Sequence, residues 1–201
     1  SYIEARRYAA TLQAEAGEKD EARATLTALF KEHNDIESLI KIGDMYRADE
    51  DYRSAISYYD QAEKSLGTDS VPEDYWHLLY ARGMAYEREG SWSKAETDLK
   101  AALAYRPDHP YLMNYLAYGW ADQGVNLDES LQLLERAVNL RPDDGYIADS
   151  LGWVLFRLGR FSESIPPLER AVELLPYDST INDHLGDAYW RVGRRIEARF
   201  Q

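Results

Sequence analysis

The side chains most often used in catalysis are few in this chain of 201 residues, and their spacing indicates no reaction. There is no cysteine, which excludes disulfides, thiolate metal ligands and cysteine nucleophiles. The four histidines have no spacing typical of a metal site; they are His33, His77, His109 and His184. Acidic pairs such as Asp143-Asp144 fall at expected helix ends, where capping and the helix dipole favour them. We therefore expect no enzymatic activity, no cofactor and no bound metal.

Composition excludes several further classes of protein. The sequence has no P-loop, no dinucleotide-binding fingerprint and no G-x-S-x-G motif. Its 36 acidic and 23 basic residues give a formal net charge of −13. Because nonspecific nucleic-acid binding needs a basic face, we expect no nucleic-acid partner. No apolar run approaches the length of a membrane span, so we expect no direct membrane insertion. The unusual feature that remains is aromatic: 16 tyrosines and 5 tryptophans.

The elements that position these aromatic residues follow from an internal repeat. The block Leu-Glu-Arg-Ala-Val begins at Leu134 and again at Leu168, and prolines close the two copies at Pro142 and Pro176, so both offsets are 34 residues. Weaker copies precede these two. We predict one domain over residues 1–201 with about five and a half units, at approximately 3–35, 36–69, 76–109, 110–144, 145–178 and a truncated 179–201.

Each unit contains two stretches with apolar residues at helical spacing. A glycine separates them in five of the units, at Gly17, Gly90, Gly124, Gly159 and Gly193. Glycine at this place is typical of a helix that ends with one residue in the left-handed conformation. Small residues at the eighth place of the first helix, such as Gly43 and Gly152, indicate close contact between the paired helices. The second helices are expected to start from short capping side chains: Asp20, Ser93, Asp128 and Ser162.

Two departures from the repeat give their own predictions. Pro166 and Pro167 fall inside the second helix of the fifth unit, which predicts an irregular first turn there. The distance from Gly43 to Gly83 is 40 residues, so about six residues are inserted around Val71 to Asp74, as a longer loop or an extra helical turn.

The pattern resembles the tetratricopeptide repeat. Leu185-Gly186-Asp187-Ala188-Tyr189 matches the L-G-x₂-Y part of its signature, and Ala95 to Leu99 matches the spacing of A-x₃-F. The resemblance implies an all-α fold, a right-handed α-solenoid whose first helices line a concave groove. It also implies a protein or peptide partner bound in that groove. Because the sequence lacks an initiator methionine and stops within an element, we expect a fragment of a longer protein. Residues Asp144 to Trp153 resemble long multi-repeat proteins of bacteria, and this resemblance implies a bacterial protein with many such repeats.

Counting within each unit places one face of every first helix, at places two, five, nine and twelve, on the groove. From the third unit onward this face is aromatic with interspersed acids: Tyr80, Tyr111, Asn114, Tyr118, Tyr146, Asp149, Trp153, Phe156, Asp183, Asp187 and Trp190. Exposed aromatic rings are efficient anchors for a partner, and aspartates beside them favour a segment with lysine or arginine. The alternative for any single ring is packing against the neighbouring unit. Neither the carboxylate-clamp pattern nor an asparagine ladder is present.

We therefore predict a protein–protein interaction scaffold that binds a partner segment in its concave aromatic and acidic groove. One alternative, from the resemblance of residues Asp144 to Trp153, is a bacterial envelope adaptor that presents substrates to a protease or assembly machine. The other is a self-associating structural module, since the sixth unit stops after its first helix and leaves Leu185 and Tyr189 without their usual cover. That alternative predicts a homodimer through an open end. Whether the protein is cytoplasmic or periplasmic stays open.

Overall fold

The computed structural model describes residues 2–201, which form helices and connecting turns with no β-strand. This confirms the all-α fold of helix–turn–helix repeats. The helices of the described residues are α1 Tyr2–Glu15, α2 Lys19–His33, α3 Ile36–Ala48, α4 Tyr52–Leu66, α5 Trp76–Arg88, α6 Trp92–Tyr105, α7 Pro110–Gln123, α8 Leu127–Leu140, α9 Gly145–Arg157, α10 Phe161–Leu174 and α11 Ser179–Arg191. Short 3₁₀ turns lie at Glu73–Tyr75 and Glu197–Arg199. Within residues 2–201, none of the helices combines the length and apolar character that a bilayer span requires.

The chain divides into two compact units, Ser1–Tyr105 and Arg106–Gln201. In the first unit α1 packs on α2, α3 on α4, and α5 on α6. In the second unit α7 packs on α8 and α9 on α10, and α11 contacts α10. The assignment of all 201 residues to one solenoid domain stays a prediction.

Glycines in the first helices allow the close contacts that the repeat predicts. A methyl group placed on Gly43 would lie 2.6 Å from the ring of Tyr59, and one on Gly152 would lie 2.4 Å from Leu168 Cγ. Both partners are fully buried, and the Tyr59 hydroxyl donates a hydrogen bond of 2.7 Å to Asp44. The predicted contact between paired helices is therefore confirmed at these positions.

The turns between paired helices use the left-handed conformation. Gly90 and Gly159 have φ of +87° and +77°, as their position in the repeat predicts. In the second repeat Glu50 takes this place with φ +59°, a conformation that costs an L-residue with a side chain about 1–2 kcal/mol. The geometry of the turn is thus retained even where the glycine is not.

The predicted starts of the second helices are wrong by two residues. A capping residue precedes the first residue of its helix, but α2, α6, α8 and α10 already include the predicted caps Asp20, Ser93, Asp128 and Ser162 in their first turn. Side-chain caps occur at other helices: on the second helix α4, where Asp51 accepts a hydrogen bond of 3.1 Å from the amide of Ser54, and on first helices. Asp144 accepts hydrogen bonds from the amides of Tyr146 and Ile147, both at 3.1 Å, and Asp178 does the same at the start of α11.

The irregular first turn predicted for α10 is also wrong. The helix is continuous over Phe161–Leu174 with both prolines inside it, and the amides of Glu163 and Ser164 both donate to Arg160 O at 3.0 Å. The prolines deprive only the carbonyls of Ser162 and Glu163 of a donor, and these two residues are exposed. Because solvent can satisfy those carbonyls, the helix tolerates the prolines.

The inserted segment in the first unit is a loop followed by the 3₁₀ turn Glu73–Tyr75. Val71 is buried, and its carbonyl accepts a hydrogen bond of 2.8 Å from the Tyr105 hydroxyl. The insertion is therefore anchored to the last residue of α6.

A buried cation joins three helices of the first unit. Arg82 on α5 donates to both carboxylate oxygens of Asp98 on α6, at 2.7 and 3.0 Å, and to Asp60 and Glu63 on α4. Burial disfavours the charged guanidinium, but the hydrogen bonds to Asp98 and Glu63 outweigh it and raise the pKa of Arg82. Burial raises the pKa of Asp98, although Arg82 acts in the opposite direction.

The last turn of the second unit corrects the expectation of an uncovered end. Leu185 and Tyr189 are buried together with Leu168, and Ala198 packs against this cluster. The guanidinium of Arg194 also lies 4.1 Å from the centre of the Tyr189 ring. The face expected to lack cover is therefore covered, because the residues after Gly193 turn back onto it.

Candidate functional site

In the second unit the first helices of successive repeats lie side by side, since α9 contacts both α7 and α11. The caps Asp144 and Asp178 fix the starts of α9 and α11. Ten of the eleven predicted site residues lie on these three helices. The eleventh, Tyr80, belongs to the first unit, where it stacks on Trp76 with ring centres 6.3 Å apart.

The start of α7 is held by a histidine rather than an aspartate. His109 Nδ1 accepts a hydrogen bond of 3.3 Å from the amide of Leu112. Burial lowers the pKa of His109, and the positive charge of Arg141 acts in the same direction. The neutral imidazole, the form that can accept this bond, is thus favoured at neutral pH.

Three aromatic side chains of the predicted groove face on α7, α9 and α11 are exposed. Tyr146 on α9 is 58% exposed, Trp190 on α11 is 55% exposed, and Tyr111 on α7 is 39% exposed. Tyr118 and Asn114 on α7 are half-buried. Each of the three helices therefore presents one aromatic ring to solvent.

Trp153 and Phe156 on α9 are half-buried and stack on each other, with ring centres 5.1 Å apart and planes 8° apart. Trp153 also stacks on His184 of α11, at 4.1 Å and 13°. Phe156 contacts the edge of Phe161 at 5.1 Å. Both rings therefore pack against side chains of adjacent helices, and because both are only half-buried, part of each ring stays exposed on this surface.

Asp149 differs from the exposed acid that its place in the repeat suggests. It is 6% exposed, and its Oδ1 and Oδ2 lie 2.9 and 3.0 Å from Nδ1 of His184, itself 8% exposed. Its carboxylate is thus hydrogen-bonded to a side chain of the neighbouring helix α11. Asp183 and Asp187, by contrast, are exposed one turn apart on α11, and neither forms an ion pair with any residue of the described chain.

The exposed rings have arginines beside them, which the sequence analysis missed. The guanidinium of Arg195 lies 5.1 Å from the centre of the Trp190 ring, and that of Arg141 lies 5.9 Å from that of Tyr111. Arg157 lies 5.8 Å from the Trp153 ring and donates to the carbonyl of Asp122. The surface is therefore aromatic with charges of both signs rather than purely acidic. One signal was available: all ten basic residues of 106–201 are arginine, which stacks on rings better than lysine.

His184 is not among the predicted site residues, but the structure brings it to this surface. It stands one place beyond the predicted groove positions of α11, and only the contacts of α9 with α11 bring it to Asp149 and Trp153. Within residues 2–201, no group of three histidine, aspartate or glutamate side chains could hold a metal ion.

Family models described as tetratricopeptide repeat match residues 4–34, 38–67, 80–145 and 121–179. The TPR repeat-containing protein PA4667 of Pseudomonas aeruginosa is 36% identical over 114 residues, which cover 54% of this chain. The matched part spans 19% of the length of that relative.

Solved structures share the fold, among them a tetratricopeptide repeat protein. That protein, from Parabacteroides merdae, is 16% identical with a TM-score of 0.77, covering 98% of this chain and 76% of that one. MamA of Desulfovibrio magneticus is 20% identical with a TM-score of 0.68, covering 82% of this chain and 89% of that one. At this level of identity the similarity concerns the fold alone.

Proposed function

Since the chain belongs to the tetratricopeptide repeat family, a family of protein–protein interaction scaffolds, we propose that it binds a segment of a partner protein on the face formed by α7, α9 and α11. The observation that supports this most is the presence of exposed rings on all three adjacent helices: Tyr111, Tyr146 and Trp190. Tyrosine and tryptophan offer a large contact area with little side-chain entropy to lose, and they are enriched among residues that dominate binding energy.

The unpaired carboxylates favour a partner segment with lysine or arginine. Asp183 and Asp187 have no cation of their own, whereas Trp190 already has Arg195 beside it. A partner cation therefore gains more at the aspartates than over that ring, and apolar side chains of the partner are left to contact the rings. An exposed ion pair contributes about 0–1 kcal/mol. The charges thus set orientation and association rate, and the rings provide most of the affinity.

A selection of partner peptides tests this proposal without knowledge of the natural ligand. A phage library of random 12-residue peptides is selected on the protein, and the enriched peptides are synthesised for affinity measurements. We expect lysine or arginine next to apolar residues in the enriched sequences. Tyr146→Ala should weaken binding about tenfold, which corresponds to about 1.4 kcal/mol.

Two further variants separate the contributions. Asp183→Asn with Asp187→Asn should weaken binding severalfold and remove most of its salt dependence. Tyr177→Ala is the matched control, because Tyr177 is 98% exposed but lies after α10, outside the proposed face. Enrichment of acidic peptides, or an equal loss of binding in Tyr177→Ala, would contradict the proposal.

A further inference from the structure

We infer that Asp149 and His184 are positioning residues for Trp153. This buried polar pair fixes the orientation of the Trp153 ring on the proposed binding face. This inference rests on the proposed function and deepens it. It assigns Asp149 a role other than contact with the partner, and it adds His184 to the site.

The first step concerns the cost of burying Asp149. A buried carboxylate is unfavourable unless it is hydrogen-bonded, and removing the partner of a buried charge is strongly destabilising. Nδ1 of His184 is at 2.9 and 3.0 Å from the two carboxylate oxygens. Because a carboxylate only accepts, Nδ1 carries the proton, and the pair fixes the position of the imidazole relative to α9.

The second step concerns the contact between His184 and Trp153. The imidazole and indole ring centres are 4.1 Å apart and their planes differ by 13°. The orientation of the imidazole is set by Asp149, one helical turn before Trp153 on α9. A ring held in this way offers the indole a fixed flat surface.

The third step is that no hydrogen bond orients the indole itself. Nε1 of Trp153 is buried, and no residue of the described chain accepts a hydrogen bond from it. The orientation of the ring therefore depends on its stacking contacts with His184 and Phe156 and on Arg157 at 5.8 Å. Loss of the Asp149–His184 pair removes the fixed end of this stack, and other rotamers of Trp153 become accessible.

Fluorine NMR of the protein labelled with 5-fluorotryptophan tests the inference without any partner. The five tryptophans give five resonances, and that of Trp153 is identified by its loss in Trp153→Phe. Two nearly isosteric variants are compared. Asp149→Asn keeps an oxygen that accepts from Nδ1, whereas Asp149→Leu removes the acceptor and leaves neither a cavity nor a buried carboxylate.

We expect the Trp153 resonance to stay at its position in Asp149→Asn and to shift and broaden in Asp149→Leu. The resonance of Trp120, which is 1% exposed, is the internal control and should not move. An unchanged Trp153 resonance in Asp149→Leu would overturn the inference. Should that variant not fold, Asp149→Leu with His184→Phe takes its place, since it keeps a flat ring and leaves no polar group unpaired. A native Trp153 resonance then supports positioning by the stack, and a displaced one overturns it.

Binding of the selected peptides separates this inference from the proposed function. Asp149→Leu should weaken binding about tenfold, and Asp149→Asn should restore it to within about twofold of the original protein. If the resonance shifts as expected but peptide affinity is unchanged, the positioning of Trp153 stands and the prediction that Trp153 contributes to peptide binding fails. If the resonance does not shift, the inference fails whatever the affinity.

Discussion

Replacement of Arg82 by leucine should destabilise the first unit far more than removal of an exposed arginine. Asp98 is buried and has its hydrogen bonds from Arg82, whereas Asp60 and Glu63 are partly exposed and can be hydrated. The variant therefore leaves one uncompensated buried carboxylate, which costs about 3–5 kcal/mol. With a urea dependence of about 2 kcal/mol per molar, the unfolding midpoint should fall by about 1.5–2.5 M.

Urea unfolding followed by circular dichroism measures this change, and hydrogen exchange of peptides from α5 and α6 locates it in the first unit. The control is Arg136→Ala, because Arg136 and its partner Asp108 are exposed and 2.8 Å apart. An exposed pair of this kind contributes about 0–1 kcal/mol. The double variant Arg82→Leu with Asp98→Leu removes both charges and should lie within about 1 kcal/mol of the original protein or be more stable.

The pH dependence gives the reasoning a second test. Burial raises the pKa of Asp98 even with Arg82 present, so the folded form of Arg82→Leu takes up the proton at higher pH than the unfolded chain. The difference in the free energy of unfolding between Arg82→Leu and the original protein should therefore shrink as the pH falls from 7.5 to 4.5. Two results would refute the account of a buried, coupled pair: a urea midpoint of Arg82→Leu within about 0.3 M of the original protein, or a double variant as unstable as the single one.

Three further predictions concern stability. Gly152→Ala should destabilise the protein by about 1–3 kcal/mol, because the added methyl group clashes with Leu168. Gly186→Ala should stabilise it by about 0.5–1 kcal/mol, because the nearest atoms are 3.5 and 3.6 Å from the added methyl group. Chemical denaturation of both variants checks this, and equal effects would contradict the packing argument. Glu50→Gly should raise the thermal midpoint, because glycine relieves the positive φ for a net gain of about 0.5 kcal/mol; a lower midpoint would count against strain there. The lowered pKa of His109 means that the unfolded chain is protonated first as the pH falls, so stability should decline from pH 7.5 to 5.5, and His109→Asn, which keeps a capping side chain, should decline less over that range.

The sequence was sufficient to predict the repeat and its close contacts because these depend on residue size and backbone conformation. Gly43 and Gly152 could be read as contact positions since a methyl group does not fit there, and Gly90 and Gly159 since the turn needs positive φ. The helix starts were less accurate, because several polar residues near each turn are able to cap and only the folded chain selects among them.

The details of the binding face were not predictable from the repeat register alone. The register gives the face of each helix but not the side chain that reaches it from the next helix, so the pairing of Asp149 with His184 was missed. Long arginine side chains can reach several partners, and the fold decides that Arg195 lies beside Trp190. The first outcome depends on a contact between successive repeats, and the second on the turn of the chain after α11.

The account of the second unit as a binding face is tested most directly by Trp190→Ala, with Tyr177→Ala as the matched control for loss of an exposed ring. Isothermal titration with a peptide selected on the original protein gives the affinity, and circular dichroism gives the thermal midpoint. We predict that Trp190→Ala weakens binding at least about tenfold, that its midpoint changes by less than about 2 °C, and that Tyr177→Ala changes neither. Unchanged affinity in Trp190→Ala, or an equal loss in Tyr177→Ala, would contradict the account.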